Sequence, residues 1–223
     1  MSLFIKNQGY AAKPASPLTA AIVFGIIAAI SVFFGISGLM GDSRTLDSAF
    51  DTGYDLGSVV SGTPAYGAPE ANLDFKHSVS SIPIGHEYYY MILSEDKDKI
   101  LLVRADKDFG SNFDSESFEN TTGVSIKGKV RKASQKVSRN FSELATIMEP
   151  DVMYIDTTYK SRSIKWFIIA AINLLLIVTL AANYAINGRH GRPGGAVGGL
   201  IGLVDLAGLL GAGYLLICNI LLN

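Results

Sequence analysis

The chain has 223 residues, 48% hydrophobic and 17% charged, with 20 acidic and 19 basic side chains. That balance argues against a reader of nucleic acid, which needs a basic stripe with little acidic competition. A single cysteine, Cys218, excludes an intrachain disulfide, so any water-exposed domain must stand on its apolar core.

Residues 1–17 form a tail with Lys6 and Lys13, and with Pro14 and Pro17, which suit the first turn of a helix. Leu18 to Met40 then runs without a charge. At ~1.5 Å per residue, roughly 20 such residues cross a ~30 Å hydrocarbon core. The run exceeds the ~7–15 apolar residues of a signal peptide, and no Ala-x-Ala pattern follows it. It is predicted to remain as a membrane anchor over 18–40. Gly35-Ile36-Ser37-Gly38 spells an intramembrane serine site, but none of the apolar runs holds the histidine that such a serine needs. Small residues for close helix packing explain it better.

Residues 41–165 are polar enough and long enough to fold as one β-rich α+β domain in water. Its charge is split: 42–119 holds 15 acidic and 6 basic residues, while 120–165 holds 9 basic and 4 acidic. Such a domain pairs with itself more readily than with nucleic acid. Between prolines and glycines, one short strand is predicted near 57–61. Glu87 to Ser94 and Ile100 to Ala105 are β-rich runs separated by the polar loop 95–99, a hairpin pattern. Asp106, Asp108 and Gly110 lack the spacing of a calcium loop, because Ser117 stands where its last glutamate should. Over 123–131, Val124, Ile126, Gly128 and Val130 alternate with Ser125, Lys127, Lys129 and Arg131, predicting a strand with a basic outer face. Val137, Phe141, Leu144 and Met148 give an amphipathic helix, with Asn140 and Glu143 at capping-box spacing. Glu149-Pro150 ends it, and Val152 to Thr158 reads as a last strand. His77 and His86 have no recognised metal-ligand spacing, and no cofactor or metal is expected. Asn120-Thr121-Thr122 and Asn140-Phe141-Ser142 are glycosylation patterns, meaningful only in a eukaryotic lumenal loop.

The segments Pro83-Ile84-Gly85-His86-Glu87-Tyr88-Tyr89, Leu101-Leu102-Val103-Arg104-Ala105-Asp106-Lys107 and Gly123-Val124-Ser125-Ile126-Lys127-Gly128 resemble an uncharacterised family of small multi-pass membrane proteins from Gram-positive bacteria. The resemblance covers mainly the polar domain. It implies a bacterial source and carries no mechanism, because that family has no known activity.

A second uncharged run gives a helix over 166–187, followed by a short loop at 188–194 and a third helix over 195–222. The glycines of 191–202 lack the Lys-Ser/Thr of a phosphate loop. On the third helix, Gly198, Gly202, Asp205, Gly208, Ala212, Leu215 and Asn219 share one stripe at spacings of three and four. Small residues let helix backbones approach in lipid, so this stripe is predicted to pack on protein. Asp205 lies about 26 Å back from the C-terminal end, close to the opposite membrane face, where water or Arg192 meets it.

Lys6, Lys13, Arg189 and Arg192 flank one side of the spans, and Arg44, Lys160, Arg162 and Lys165 the other. Weighting short loops and tails places the N-terminus in the cytoplasm and the domain outside. The expectation is a bacterial plasma-membrane protein with no catalytic constellation, an accessory or interaction subunit that meets lipid and binds a protein partner, or a second copy, through the third helix. The rival is a small transporter or proton-coupled component centred on Asp205, with Asn173 and Asn219 along its path. The lack of a second intramembrane charge disfavours it.

Overall fold

The computed structural model describes residues 17–53, 55–79, 81–145, 152–187 and 196–221. In chain order its elements are α1 (Pro17–Leu39), β1 (Ser43–Thr45), α2 (Leu46–Thr52), β2 (Val59–Gly62), β3 (Tyr66–Gly67), β4 (Leu73–Val79) and β5 (Ile82–Leu93). There follow β6 (Ile100–Ala105), a 3-10 helix (Lys107–Asn112), β7 (Ile126–Lys132), α3 (Gln135–Ala145), β8 (Met153–Asp156), α4 (Tyr159–Asn187) and α5 (Ala196–Leu221).

Among the described residues, α1, α4 and α5 are long and apolar enough to cross a membrane. α4 is central, with α1 and α5 both packed on it. Small residues set the approach of α1. A Cβ added at Gly35 would stand 2.9 Å from the Phe167 ring, and one at Gly38 would collide with the Ser163 hydroxyl. Ala28 and Ser31 are buried on the same α1 stripe, and Phe34 stacks on Trp166 with centroids 5.1 Å apart.

The strands form one eight-stranded mixed sheet ordered β1-β2-β7-β8-β6-β5-β3, with β4 also on β5. β1/β2 and β6/β8 are parallel and the remaining pairs antiparallel. Because side chains alternate along a strand, the sheet has two faces. One buries Val60, Tyr90, Ile92, Val103, Val130 and Ile155, closed by Leu46 and Ala49 of α2 and by Phe113. The other buries Phe75, Tyr89, Leu102 and Tyr154 beneath Val137 and Phe141 of α3.

Several local expectations are corrected. The predicted strand near 57–61 is β2, and it is flanked by α2, whose seven residues are too few for a helical period to show. Thr45 caps α2, its hydroxyl accepting the Ser48 N–H at 3.2 Å. The hairpin's first strand is β5, which starts at Ile82 and is long enough to pair with β4 as well as β6. α3 starts at Gln135, so Asn140 is not its cap. Ser134 takes that place, accepting the Val137 N–H at 3.4 Å, while Asn140 sits mid-helix and donates to the Lys136 carbonyl at 2.7 Å. Met148, Glu149 and Pro150 lie outside the described residues. α4 begins seven residues before the uncharged run, because Asp156 turns the chain straight from β8 into the helix. Its carboxylate accepts the Thr158 N–H at 3.1 Å and hydroxyl at 2.6 Å.

Candidate functional site

The second sheet face changes character at the end facing the long helices. In phase with the apolar Phe75, Tyr89, Leu102 and Tyr154 stand His77, Glu87, Arg104, Asp156 and Arg131, one per strand across β4, β5, β6, β8 and β7. Charge alternates along this row. His77 Nε2 lies 3.3 Å from Glu87 Oε2, Arg104 Nη1 lies 2.9 Å from Glu87 Oε1, and Arg131 Nε lies 2.9 Å from Asp156 Oδ2. Arg162, from the first turn of α4, drops onto the row from the helix side, 3.5 Å from Asp156 and 3.7 Å from Glu87.

Glu87, Arg104 and Arg162 are almost wholly buried, and Asp156 has no exposed surface at all. Buried ions carry a large desolvation penalty, offset here because each carboxylate meets two guanidiniums, with an imidazole beside Glu87 as well. The neighbouring phenols complete the shell. Tyr89 donates its hydroxyl to Glu87 Oε2 at 3.0 Å. Burial first, then the nearby Tyr154 and Glu87, push its pKa far above the ordinary phenol value. Tyr154 is pushed up to about 12, by burial first and then by the Asp156 charge. Both phenols therefore stay protonated across the physiological range, and Tyr89 keeps its donor role.

One further contact binds the sheet to the helices, and another binds the helices to each other beside it. Lys129, on β7, donates through Nζ to the carbonyls of Ser37 at 2.5 Å and Met40 at 2.6 Å, at the exposed end of α1. These are end-of-helix carbonyls with no intrahelical donor, and a cation suits that negative end of the dipole. Burial, and then the nearby Arg131, lower the Lys129 pKa. From α5, Asn219 Nδ2 donates to the Arg162 carbonyl at 3.5 Å. The sheet is thus joined to α4 through Arg162 and to α1 through Lys129, while Asn219 ties α5 to α4 at the same level. The expectation that Lys129 and Arg131 form a basic face in solvent is corrected: both point at the helix ends and the seam. Of the three basic side chains, Lys127 alone is exposed.

A cavity of about 500 Å³ opens beside the seam, lined by Arg104, Lys160, Arg162 and Lys165 together with His86 and Asn219. Asp106 is the acidic side chain on its wall.

The stripe residues of the third helix fall as follows. Asp205 Oδ1 accepts the Thr179 hydroxyl of α4 at 2.5 Å. A Cβ at Gly208 would stand 3.0 Å from Leu176 of the same helix, and Asn219 reaches Arg162. Ala212 is half-buried, and a Cβ at Gly202 would meet nothing within 4 Å. Gly198 lies in the first turn of α5. Asn173 turns back on its own helix, donating to the Ile169 carbonyl at 2.8 Å. Among the described residues no three His, Cys, Asp or Glu side chains cluster to hold a metal. His77 and His86 are held apart: His77 meets Glu87, whereas His86 Nδ1 lies 3.4 Å from Asp74. Asn120, in the first glycosylation pattern, spends its amide on the Pro64 and Val124 carbonyls at 2.9 and 3.0 Å.

The seam itself was not anticipated from the sequence. Its signal was present in Glu87-x-Tyr89-x-Met91, Leu102-x-Arg104 and Tyr154-x-Asp156, where an ionisable residue continues the phase of a buried face. A charge in that register must be paired or functional. Comparison with protein-family models, with curated proteins and with solved structures finds no match.

Proposed function

We propose that this chain is a non-enzymatic accessory or interaction subunit of a membrane complex, with three membrane-spanning helices in a bacterial plasma membrane and an extracytoplasmic domain fixed to them. The observation that carries the reading is the seam. A domain tied by Arg162 to α4 and by Lys129 to α1, with Asn219 of α5 bonded to the Arg162 carbonyl, moves with its helices, as a subunit relaying or bracing contacts on both sides of the membrane surface would. α5 supplies the free side for a partner. Leu203, Leu206, Leu210 and Tyr214 are exposed on it, and a Cβ at Gly211 or Gly213 would meet nothing. Leucines of this kind suit lipid, and adjacent glycines admit a second helix at close range.

A photo-crosslinking side chain (benzoylphenylalanine) in place of Gly211 tests this in the cell's own membrane. A discrete protein adduct, either a second copy or one other chain, is expected. Capture of lipid alone overturns the reading.

The transporter reading has one observation in its favour, the Asp205–Thr179 bond inside the α4–α5 contact. That bond also gives the carboxylate a structural donor, and among the described residues of 166–187 and 196–221 no second Asp, Glu, Lys or Arg accompanies it. Asp205→Asn keeps size and hydrogen bonding. Its retention of cellular function supports the subunit reading, and loss of function with intact assembly supports transport.

A further inference from the structure

The cavity beside the seam has a surplus of positive charge placed where the helices become apolar. Inside the seam three guanidiniums, those of Arg104, Arg131 and Arg162, face the two carboxylates of Glu87 and Asp156. The cavity adds Lys160, exposed, and Lys165, half-buried, against the single acid Asp106. Among the described residues neither lysine has a carboxylate partner. The first turn of α4, from which Lys160 and Arg162 come, holds no acidic residue, so its positive dipole end adds to the same field. The volume of about 500 Å³ falls inside the ~300–1,000 Å³ usual for small-ligand sites.

Position narrows the ligand. Trp166 follows Lys165 directly and opens the uncharged run of α4, while the exposed Ile164 and Ile168 flank it. Tryptophan marks the plane where hydrocarbon meets headgroup. Basic pockets between helices at that plane are suited to anionic headgroups, and guanidinium and ammonium together suit a phosphate oxyanion.

We propose that this cavity is a phosphate-binding site, with Lys160 and Lys165 contacting the anion and the guanidinium edges of Arg104 and Arg162 forming its floor. The phosphate is either the headgroup of an anionic lipid at the domain-side surface or a soluble phosphate from the aqueous phase. Only the lipid source rests on the reading of α1, α4 and α5 as membrane spans.

The experiment uses the full chain purified in mild detergent, with Lys160→Gln/Lys165→Gln as the test variant and Lys127→Gln, an exposed lysine on β7 outside the cavity, as the control. Thermal unfolding without ligand checks that both fold. One arm reconstitutes the chain in vesicles of phosphatidylglycerol and phosphatidylcholine and measures retained lipid by native mass spectrometry. The other measures protection by inorganic phosphate. A lipid source predicts selective phosphatidylglycerol retention that falls by about 30-fold in the double variant, at the per-lysine strength typical of a membrane surface. Lys127→Gln should retain it, and Lys160→Arg/Lys165→Arg should restore it. A soluble source predicts protection by inorganic phosphate that the double variant loses, with no lipid selectivity. Absence of both effects, or effects equal in the double variant and the parent, overturns the site. Failure of the lipid arm alone removes the membrane source and leaves the anion site standing.

Discussion

The two faces of the sheet are built from the same strands, yet they are held together by different physics. Ile155 and Asp156 are consecutive on β8 and equally buried, one pointing into an apolar core, the other into a row of charges. The apolar face is closed by the domain's own α2 and by the loop carrying Phe113. The charged end of the other face is closed by α4, which belongs to the helix bundle. Apolar burial is non-directional and tolerates small changes in shape. A buried ion pair demands its partner in one place, so it fixes how the domain sits on the helices. The difference teaches where this protein spends specificity: at the junction, rather than in the core.

The largest expected effect is at Asp156. Asp156→Ala leaves Arg131 and Arg162 facing each other without their shared carboxylate, and should cost about 3–5 kcal/mol. Its neighbour on the apolar face, Ile155→Val, should cost only about 0.5–1.5 kcal/mol. Denaturant unfolding of the full chain in detergent, followed by near-ultraviolet dichroism of the buried tyrosines, measures both. Equal losses would erase the contrast between the faces.

Coupling across the junction comes next. Glu87→Gln and Arg162→Met should be non-additive, with an interaction of about 0.5–3 kcal/mol, because the two groups share one ion cluster. Simple additivity would mean that Arg162 is only a spectator beneath the sheet.

Lys129→Met should cost about 1–2 kcal/mol, a low value for charge-assisted bonds because the ammonium is only half-buried. The effect should be seen as faster amide exchange in the last turn of α1, where the Ser37 and Met40 carbonyls lose their donor. Exchange unchanged there would separate the domain from α1.

The smallest effect calibrates the buried charges against an exposed one. Asp114 accepts the N–H groups of Ser117 and Glu116 and the Ser117 hydroxyl, and these bonds lower its pKa. Its contribution is therefore present above the ordinary carboxylate pKa and is lost as pH falls through the lower folded value. Faster exchange of the Glu116 and Ser117 amides below about pH 4, absent in Asp114→Asn, is the expected signature. Exchange in that turn indifferent to pH would leave the carboxylate without a structural part.

Composition and period were enough to find the long helices, though not the early start of α4, because twenty uncharged apolar residues need no tertiary partner to declare themselves. The hairpin of β5 and β6, the strand β7 and the apolar stripe of α3 were likewise written in local alternation and helical spacing. α2, β1 and β3 are too short to carry a period, and they exist because β2 and β5 offer edges to pair with. Gly35 and Gly38 read as packing residues in the sequence, but that α4 covers them together with Ala28 and Ser31 is legible only in the fold. The seam lay furthest from sequence reading. Glu87 stands 75 positions before Arg162, and no local rule links them. An ionisable residue in the phase of an apolar face announces that a partner must exist. Only the folded chain, bringing β5, β6, β7 and β8 beneath the first turn of α4, decides which partner it is.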